Sequence, residues 1–372
     1  MPDCAILGGG VIGLSIAYEL ACHGQDVLLL ERGELGREAS WAGAGILPAP
    51  TSRDEVPVWK KLQALSFHLH KSWHERLKEE TGIDNGYLRC GGIHLAREVG
   101  EAAALRADMA ESAADGVEVQ TLEAGPGIQH LEPTFSRELA SAAGVAGAFL
   151  LPAESQIRNP HHLQALAAAC RRRNVRIVEQ AKVTRLASQN GRVEGAVTNS
   201  KTYQADAYII TSGAWSDELL SSLGVKLSIY PVRGQMLLYE CPRKQISHII
   251  NEGPRYLVPR ADNFVLVGST EEDVGFDKQT TAGGLAELRQ FAEELFPCLR
   301  EGRIVNSWAG LRPHAVDGFP YLGPISHLAN CYVAAGHYRA GLSTSPGTAR
   351  LMRQMILGEP TELDVSEFRV DR

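Results

Sequence analysis

The chain opens with a unit that constrains its fold more than any other segment. The turn at 8–13, with the sequence GGGVIG, fits the pattern G-x-G-x-x-G and directly follows the apolar run 3–7. A helical pattern over 14–23 and a second apolar run over 27–30 come next, and Glu31 ends that run. This order of elements is typical of the βαβ unit that binds a dinucleotide.

The residues of this unit have separate physical roles. Gly8 permits the tight turn, Gly10 lets a pyrophosphate approach the backbone, and Gly13 lets the helix pack close to the strand. The helix N-terminus offers free N–H groups and a positive dipole end to phosphates. Glu31 is placed to accept hydrogen bonds from ribose hydroxyls. The unit predicts a bound dinucleotide but does not distinguish NAD from FAD.

Length and composition exclude several other classes of protein. A chain of 372 residues exceeds one ordinary core and predicts about two domains. The net charge of −7 disfavours a nucleic-acid-binding surface, and no apolar stretch is long enough to span a membrane. Seven scattered cysteines without a CxxC pair predict neither disulfides nor a zinc site. We therefore expect a cytoplasmic protein without a metal.

Two later segments are rich in small residues, which let a backbone approach a flat ring or a phosphate. One covers 39–46 (ASWAGAGI) and the other covers 211–215 (TSGAW), where a predicted strand ends. Both are candidates for cofactor contacts, although an ordinary surface loop explains the first equally well. The helical pattern over 58–81 carries three histidines, which we interpret as core or solvated side chains because no acidic or cysteine partner is spaced with them.

Arginine, glycine and aromatic residues concentrate near the carboxyl end, at 308–314 and 335–342. Arg312 and Arg339 have apolar neighbours, which predicts buried guanidinium groups that need an anion. A substrate α-carboxylate fits the bidentate fork of arginine, and an internal salt bridge is an equally good alternative. The segment 343–346 (STSP) predicts a helix that begins there, with proline in its first turn. The positive end of such a helix would stabilise a reduced flavin.

Taken together, these segments resemble the glycine oxidase family of the D-amino acid oxidase superfamily. The resemblance rests on motifs that occur in the family's order over nearly the whole chain, at 8–13, 39–46, 256–260, 308–313 and 336–341.

The resemblance implies a fold of class α/β and α+β, in which a Rossmann-like FAD-binding domain is interleaved with an antiparallel-sheet substrate domain. The strand-rich composition of 225–310, between ends that have α/β character, agrees with this division. The implied boundaries are 1–83, 142–222 and 306–372 for the FAD-binding domain, and 84–141 and 223–305 for the substrate domain.

The resemblance also implies non-covalent FAD and a set of site residues. The implied cofactor-binding residues are Gly8, Gly10, Val11, Ile12, Gly13, Glu31, Arg32, Ser40, Ala42, Gly43, Gly45, Ile46, Val183, Ser212, Gly213, Trp215, His337, Arg339, Ala340, Gly341, Leu342 and Ser343. Arg312 would bind the substrate carboxylate with help from the Tyr256 hydroxyl, and Arg339 would line the amine end of the site or position the loop.

The implied reaction is oxidative deamination of glycine or another small amino acid, such as sarcosine or D-alanine, by hydride transfer to flavin N5. In relatives O₂ then reoxidises the flavin and forms H₂O₂, and the bacterial glycine enzyme supplies the thiazole of thiamine. Relatives are often tetramers, so a homo-oligomer is expected. Two alternatives stay open: a D-amino acid or N-methyl amino acid dehydrogenase with a non-O₂ acceptor, and a flavin-binding protein without enzymatic activity.

The chain departs from one well-known relative at two positions. Pro254 stands where that relative has histidine, and Glu271 stands where it has a methionine that faces the substrate. These changes bear on strict specificity for glycine. Our hypothesis is that Glu271 approaches the substrate amine and favours cationic or secondary amines.

Overall fold

The computed structural model describes residues 1–141 and 144–372. Their α-helices, numbered in chain order, are α1 (Val11–Cys22), α2 (Ala39–Ala42), α3 (Val58–Thr81), α4 (Val99–Ala114), α5 (Pro126–Leu131), α6 (Asn159–Arg172), α7 (Ser216–Leu220), α8 (Ala282–Leu295) and α9 (Gly341–Ile356). Single 3₁₀ turns cover Gly213–Trp215, Ser221–Leu223, Pro297–Glu301 and Ser366–Phe368.

The strands of the same residues form two large and two small sheets. They are β1 (Cys4–Leu7), β2 (Val27–Leu30), β3 (Ile46–Leu47), β4 (Leu88–Arg89), β5 (Gly92–Ala96), β6 (Gln120–Thr121), β7 (Gly147–Leu151), β8 (Ser155–Gln156), β9 (Arg176–Val178), β10 (Val183–Gln189), β11 (Arg192–Thr198), β12 (Thr202–Tyr203), β13 (Ala207–Ile210), β14 (Ile229–Glu240), β15 (Ile249–Glu252), β16 (Arg255–Pro259), β17 (Phe264–Gly268), β18 (Arg303–Ala315), β19 (Tyr321–Pro324) and β20 (Cys331–Ala335).

The first large sheet has the order β19-β20-β13-β1-β2-β9, and it is parallel except for β19. β1 and β2 are continuous apolar runs buried along their whole length, as expected for parallel strands covered on both faces. Helix α1 packs between α6 and α9 on one side of this sheet. The amino-terminal unit therefore folds as the sequence predicts, with its glycine turn at the carboxyl end of β1.

The second large sheet has the order β18-β14-β17-β16-β15-β5-β7-β6 and is antiparallel except between β15 and β5. Helix α8 covers one face through buried apolar side chains that include Leu288, Phe291 and Leu295. The opposite face lines a cavity that residues of the glycine-rich segments 8–13 and 39–46 also line. The side chains described below lie on this face.

The predicted fold class, α/β and α+β with the two architectures interleaved, is confirmed by the sheets and by the structural comparisons reported below. The domain boundaries stay a prediction. β7 and most of β18 fall in ranges assigned to the FAD-binding domain, yet both strands pair within the eight-stranded sheet. No helix among the described residues is both long and apolar enough to cross a membrane.

Helix α9 corrects one prediction. It begins at Gly341, so Pro346 lies inside the helix and not in its first turn. Proline has no N–H for the Leu342 carbonyl four residues earlier. Instead, Nε2 of the buried His70, on α3, donates to the carbonyl oxygens of Leu342 and Ser343, at 3.1 Å from each. The Ser345 hydroxyl also donates to the Leu342 carbonyl (2.9 Å), so a local side chain and one from another helix together replace the missing N–H.

Buried histidines make the fold sensitive to acid. Burial lowers the pKa of His70 to about 4 and the pKa values of His162 and His337 to about 3. The unfolded chain takes up these protons near pH 6.5, well before the folded chain does. The contribution of each neutral histidine to the free energy of unfolding is therefore fully present above pH 6.5. It falls by about 1.4 kcal/mol per pH unit as the pH drops toward 4.

We predict that His162→Gln flattens this dependence by about 1.4 kcal/mol per pH unit between pH 6 and 4.5. Urea unfolding at a series of pH values measures the slope. The matched control is His68→Gln, because His68 lies on α3 but is exposed. Equal slopes for wild type and His162→Gln would contradict the assignment.

Candidate active site

The glycine turn forms a tight support at the N-terminus of α1. A Cβ added to Gly13 would lie 1.9 Å from the Gly8 carbonyl oxygen, so only glycine lets the helix pack this close to the strand. Gly8 has φ of +123°, a conformation that side chains disfavour. A Cβ on Gly10 would meet only Ser40 Oγ, at 3.0 Å, and therefore points into otherwise open space.

The hydrogen-bond donors around this turn are partly used by the protein. Glu31 accepts from the Gly9 N–H through Oε2 (2.7 Å) and from the Gly33 N–H through Oε1 (2.8 Å). Val11 donates its N–H to Ser40 Oγ (2.9 Å), which ties the second glycine-rich segment to the first. The N–H of Ile12 has no intrahelical acceptor, since it belongs to the first turn of α1.

Two side chains, which the sequence did not indicate as site residues, hold the segment 39–46 in place. The fully buried guanidinium of Arg260 donates to the carbonyl oxygens of Ala44 (2.7 Å) and Ile157 (3.1 Å), and burial lowers its pKa to about 10. Asn159 Nδ2 donates to the Ser40 carbonyl (2.8 Å). Of the two interpretations of this segment, the structure favours the cofactor contact over a plain surface loop.

One cavity of about 580 Å³ runs from the glycine turn to the eight-stranded sheet. Every predicted cofactor-binding residue except Gly13 lines it, and Gly13 lies behind the turn. Its wall is formed by the two glycine-rich segments, by the N-terminus of α9 and by the residues that follow β13. On this wall, the Arg32 guanidinium stacks over the Trp215 ring at 3.5 Å. The residues present fit an extended dinucleotide, for which the N-terminus of α1 would hold the phosphates and the N-terminus of α9 would support the ring system.

Arg312, on β18, reaches across the neighbouring strand β14 on the cavity wall. A Cβ on Gly234 would lie 2.1 Å from Nη2 of Arg312, so glycine at this position makes room for the guanidinium. Nη2 donates to Ser269 Oγ (2.6 Å), and Nη1 donates to the Thr270 carbonyl (3.2 Å). These neutral acceptors orient the fork without cancelling its charge.

The carboxylates nearest in sequence to these contacts pair with other arginines. Glu272 binds Arg233, and Glu271 binds Arg339. Among residues 1–141 and 144–372, Arg312 therefore forms no salt bridge. Of the two interpretations of this arginine, the structure favours a guanidinium open to a ligand anion.

Tyr256, on β16, faces the same part of the cavity as Arg312. Its ring lies over Gly268 of β17, where an added Cβ would be 2.7 Å from Tyr256 Cε2. Its hydroxyl lies 3.4 Å from Met236 Sδ, a weak partner that leaves the hydroxyl available to a ligand. Glycines at 234 and 268 thus form a flat floor between the two predicted substrate-binding side chains.

The predicted amine end of the site is an ion pair. Arg339 donates through Nη2 to Glu271 Oε2 (2.9 Å), and the Tyr338 hydroxyl donates to Glu271 Oε1. The Tyr338 hydroxyl first, and then Arg339, hold the pKa of the Glu271 carboxyl below its usual range. Arg339 and Tyr338 line the cavity, whereas Glu271 lies behind them. Of the two interpretations of Arg339, the structure therefore shows the internal salt bridge, which Arg339 forms with Glu271.

The fold and the cavity agree with a flavin-dependent oxidoreductase, and comparison with known proteins identifies this class. The family model described as "FAD dependent oxidoreductase", DAO, matches residues 3–355, and the chain belongs to this family. The predicted cofactor, FAD, and the predicted enzyme class are thereby confirmed.

Glycine oxidases are prominent among the similar proteins. The chain is 34% identical to glycine oxidase of Pseudomonas putida, over 98% of this chain and 96% of that protein. It is 33% identical to the "Bifunctional protein ThiO/ThiG" of Trichormus variabilis, over 100% of this chain and 55% of that protein. The crystal structure of glycine oxidase from Geobacillus kaustophilus superposes with a TM-score of 0.93 at 33% identity, covering 100% of this chain and 98% of that one.

Proposed function

We propose that this FAD-dependent oxidoreductase oxidises the Cα–N bond of a small α-amino acid, glycine foremost, and passes the electrons to O₂ with formation of H₂O₂. The observation that carries the proposal is the Arg312 guanidinium, which faces the cavity and forms no salt bridge within the described part of the chain. A partly buried guanidinium without an ionic partner favours binding of an anion. The two oxygens of a carboxylate can each accept from one N–H of the guanidinium. The similarity to glycine oxidases supports glycine as the substrate.

The protein residues bind and orient the substrate, and the FAD supplies the oxidising chemistry when it is bound. Arg312 holds the carboxylate, and Tyr256 donates its hydroxyl to the same group. The substrate amine must be neutral for its lone pair to assist loss of hydride from Cα, and bulk solvent can take the ammonium proton. A side-chain base is then unnecessary, and catalysis rests on orientation.

An anaerobic substrate screen tests the proposal. The holoenzyme is mixed with glycine, sarcosine or D-alanine, and bleaching of the oxidised flavin absorbance is followed. We expect glycine to bleach the flavin and H₂O₂ to appear in step with substrate loss when air is admitted. Dye reduction without H₂O₂ would instead favour the dehydrogenase alternative, and no bleaching by any amino acid would refute the proposal.

In the cell, we propose that the enzyme acts in the cytoplasm as a homo-oligomer and supplies dehydroglycine for the thiazole of thiamine. Similarity to glycine oxidases and to the ThiO/ThiG protein supports this role. Complementation of a thiamine-requiring strain that lacks glycine oxidase tests the role, and light scattering of the holoenzyme tests the oligomeric state.

Glu271 is proposed to act on the substrate amine through Arg339 and Tyr338. We predict that Glu271→Gln raises KM for amine substrates by about three- to tenfold, because losing the ion pair frees Arg339 and places an uncompensated positive charge beside the amine. The control is Asp273→Asn, which removes an equal charge from an exposed side chain of the same loop. Unchanged KM values for glycine and sarcosine would refute the role of Glu271.

A further inference from the structure

A row of side chains extends the substrate-binding face of the eight-stranded sheet beyond Tyr256. In the strand pairing, Tyr256 of β16 lies opposite Asn251 of β15, and Asn251 lies opposite His94 of β5. Side chains of directly opposed residues project from the same face of a sheet. Asn251 and His94 accordingly line the same cavity as Tyr256 and Arg312.

Asn251 and His94 converge on one carboxylate. Glu154, in the turn between β7 and β8, accepts from Asn251 Nδ2 and His94 Nε2 through Oε2, at 3.2 Å in each case. Its side chain is only 5% exposed, and it also lines the cavity. The carboxylate occupies the space that a side chain at position 92 would fill, since a Cβ on Gly92 would lie 1.3 Å from Glu154 Oε2.

The charge of Glu154 is poorly compensated. Its one ion-pair partner in the described part of the chain is His94, and an imidazole carries charge only when it is protonated. Oε1 forms no hydrogen bond to any described residue. A desolvated carboxylate of this kind favours a cationic partner. The cavity therefore offers an anion-binding arginine at one end and a cation-binding glutamate further along the same face.

The spacing suits one molecule that carries both groups. The Arg312 guanidinium reaches Ser269 at the end of β17, whereas Glu154 meets Asn251 on β15 and His94 on β5. Neighbouring strands lie about 4.8 Å apart, so two to three strand spacings separate the two charged groups. Three to four single bonds from Cα span about 4–5 Å, which brings a terminal ammonium group from a clamped amino acid toward Glu154.

We propose that Glu154, Asn251 and His94 form a second substrate subsite, which binds the ammonium group on the tail of a diamino acid. This inference rests on the proposed amino acid oxidase function and specifies its substrate class. The tail can be attached to Cα or to the amine nitrogen, and the shared chemistry is an ammonium group three to four bonds from the reacting carbon. Glycine, which has no tail, leaves the subsite unused.

Matched substrate pairs test the subsite on the wild-type holoenzyme. D-Ornithine and D-norleucine differ by ammonium against methyl at the end of a Cα tail, and N-(2-aminoethyl)glycine and N-propylglycine differ likewise on nitrogen. We expect the ammonium member of at least one pair to have a kcat/KM at least tenfold higher, and the pair that discriminates identifies the attachment point. Equal values within both pairs would overturn the subsite.

The variant Glu154→Gln removes the charge while keeping the shape of the side chain. It should reduce the preference for the ammonium member to within about twofold of unity. The control Glu123→Gln removes an equal charge from an exposed residue and should keep the preference. Survival of the preference in Glu154→Gln would overturn the assignment.

The two proposals fail in different ways. Turnover of glycine without discrimination in either pair overturns the subsite alone, whereas the absence of flavin bleaching by every amino acid tested overturns the amino acid oxidase proposal and the subsite together. The wild-type comparison decides the question even if Glu154→Gln does not fold.

Discussion

Replacing Arg312 by alanine is expected to lower kcat/KM for glycine by about 30- to 5000-fold. The guanidinium forms no salt bridge in the described residues, and its N–H groups are oriented by Ser269 and Thr270. Removing one partner of a desolvated charge pair costs about 2–5 kcal/mol, which corresponds to that range of rates. Steady-state kinetics with glycine measure the loss, and binding of acetate, followed through the flavin absorbance, should weaken in parallel.

Two variants make this result specific. Arg312→Lys keeps the charge but loses the bidentate fork, so it should recover only part of the lost kcat/KM. Arg303→Ala changes an exposed arginine on the same strand and should behave like wild type, since its partner is the surface residue Glu240. Near-wild-type kinetics for Arg312→Ala would reject the carboxylate-binding role and leave the proposed function without its main support.

The part of the site that local pattern predicts best is the amino-terminal unit. Its two strands are apolar runs, its helix follows the glycine turn, and Glu31 directly follows the second strand. Each of these features depends on residues within about 25 positions of one another. The same kind of pattern pointed to Arg312 and Arg339 alike, but it did not predict that Arg339 pairs with Glu271 while Arg312 forms no salt bridge in the described residues.

What the sequence could not predict depends on contacts between distant segments. Arg260 binds the Ala44 carbonyl across 216 positions, and no local pattern relates the two. The start of α9 was predicted wrongly for the same reason, since Pro346 lies inside the helix and His70 binds the Leu342 carbonyl across 272 positions. The carboxylate of Glu154 becomes part of the cavity only because β15 pairs with β5.

The second large effect is expected at the glycine turn, where Gly13→Ala should abolish FAD binding. The new Cβ would lie 1.9 Å from the Gly8 carbonyl oxygen and 2.8 Å from Thr211 Oγ1, so the helix must move away from β1. That movement would displace the N–H groups that are expected to bind the phosphates. We expect colourless protein after purification and an FAD affinity at least a hundredfold weaker, measured by quenching of flavin fluorescence on titration.

Loss of FAD could also follow from a general loss of folding, and Gly10→Ala separates the two causes. Its Cβ would meet only Ser40 Oγ, at 3.0 Å, and a shift of that side chain by a few tenths of an ångström relieves the contact, so the fold should survive. The same methyl group projects into the space where the pyrophosphate approaches the backbone, and FAD affinity should still fall by at least tenfold. Gly100→Ala, on α4 with nothing within 4 Å of the new Cβ, is the neutral control. A folded Gly10→Ala protein that binds FAD as tightly as wild type would place the phosphates elsewhere and refute the cofactor position on which the site depends.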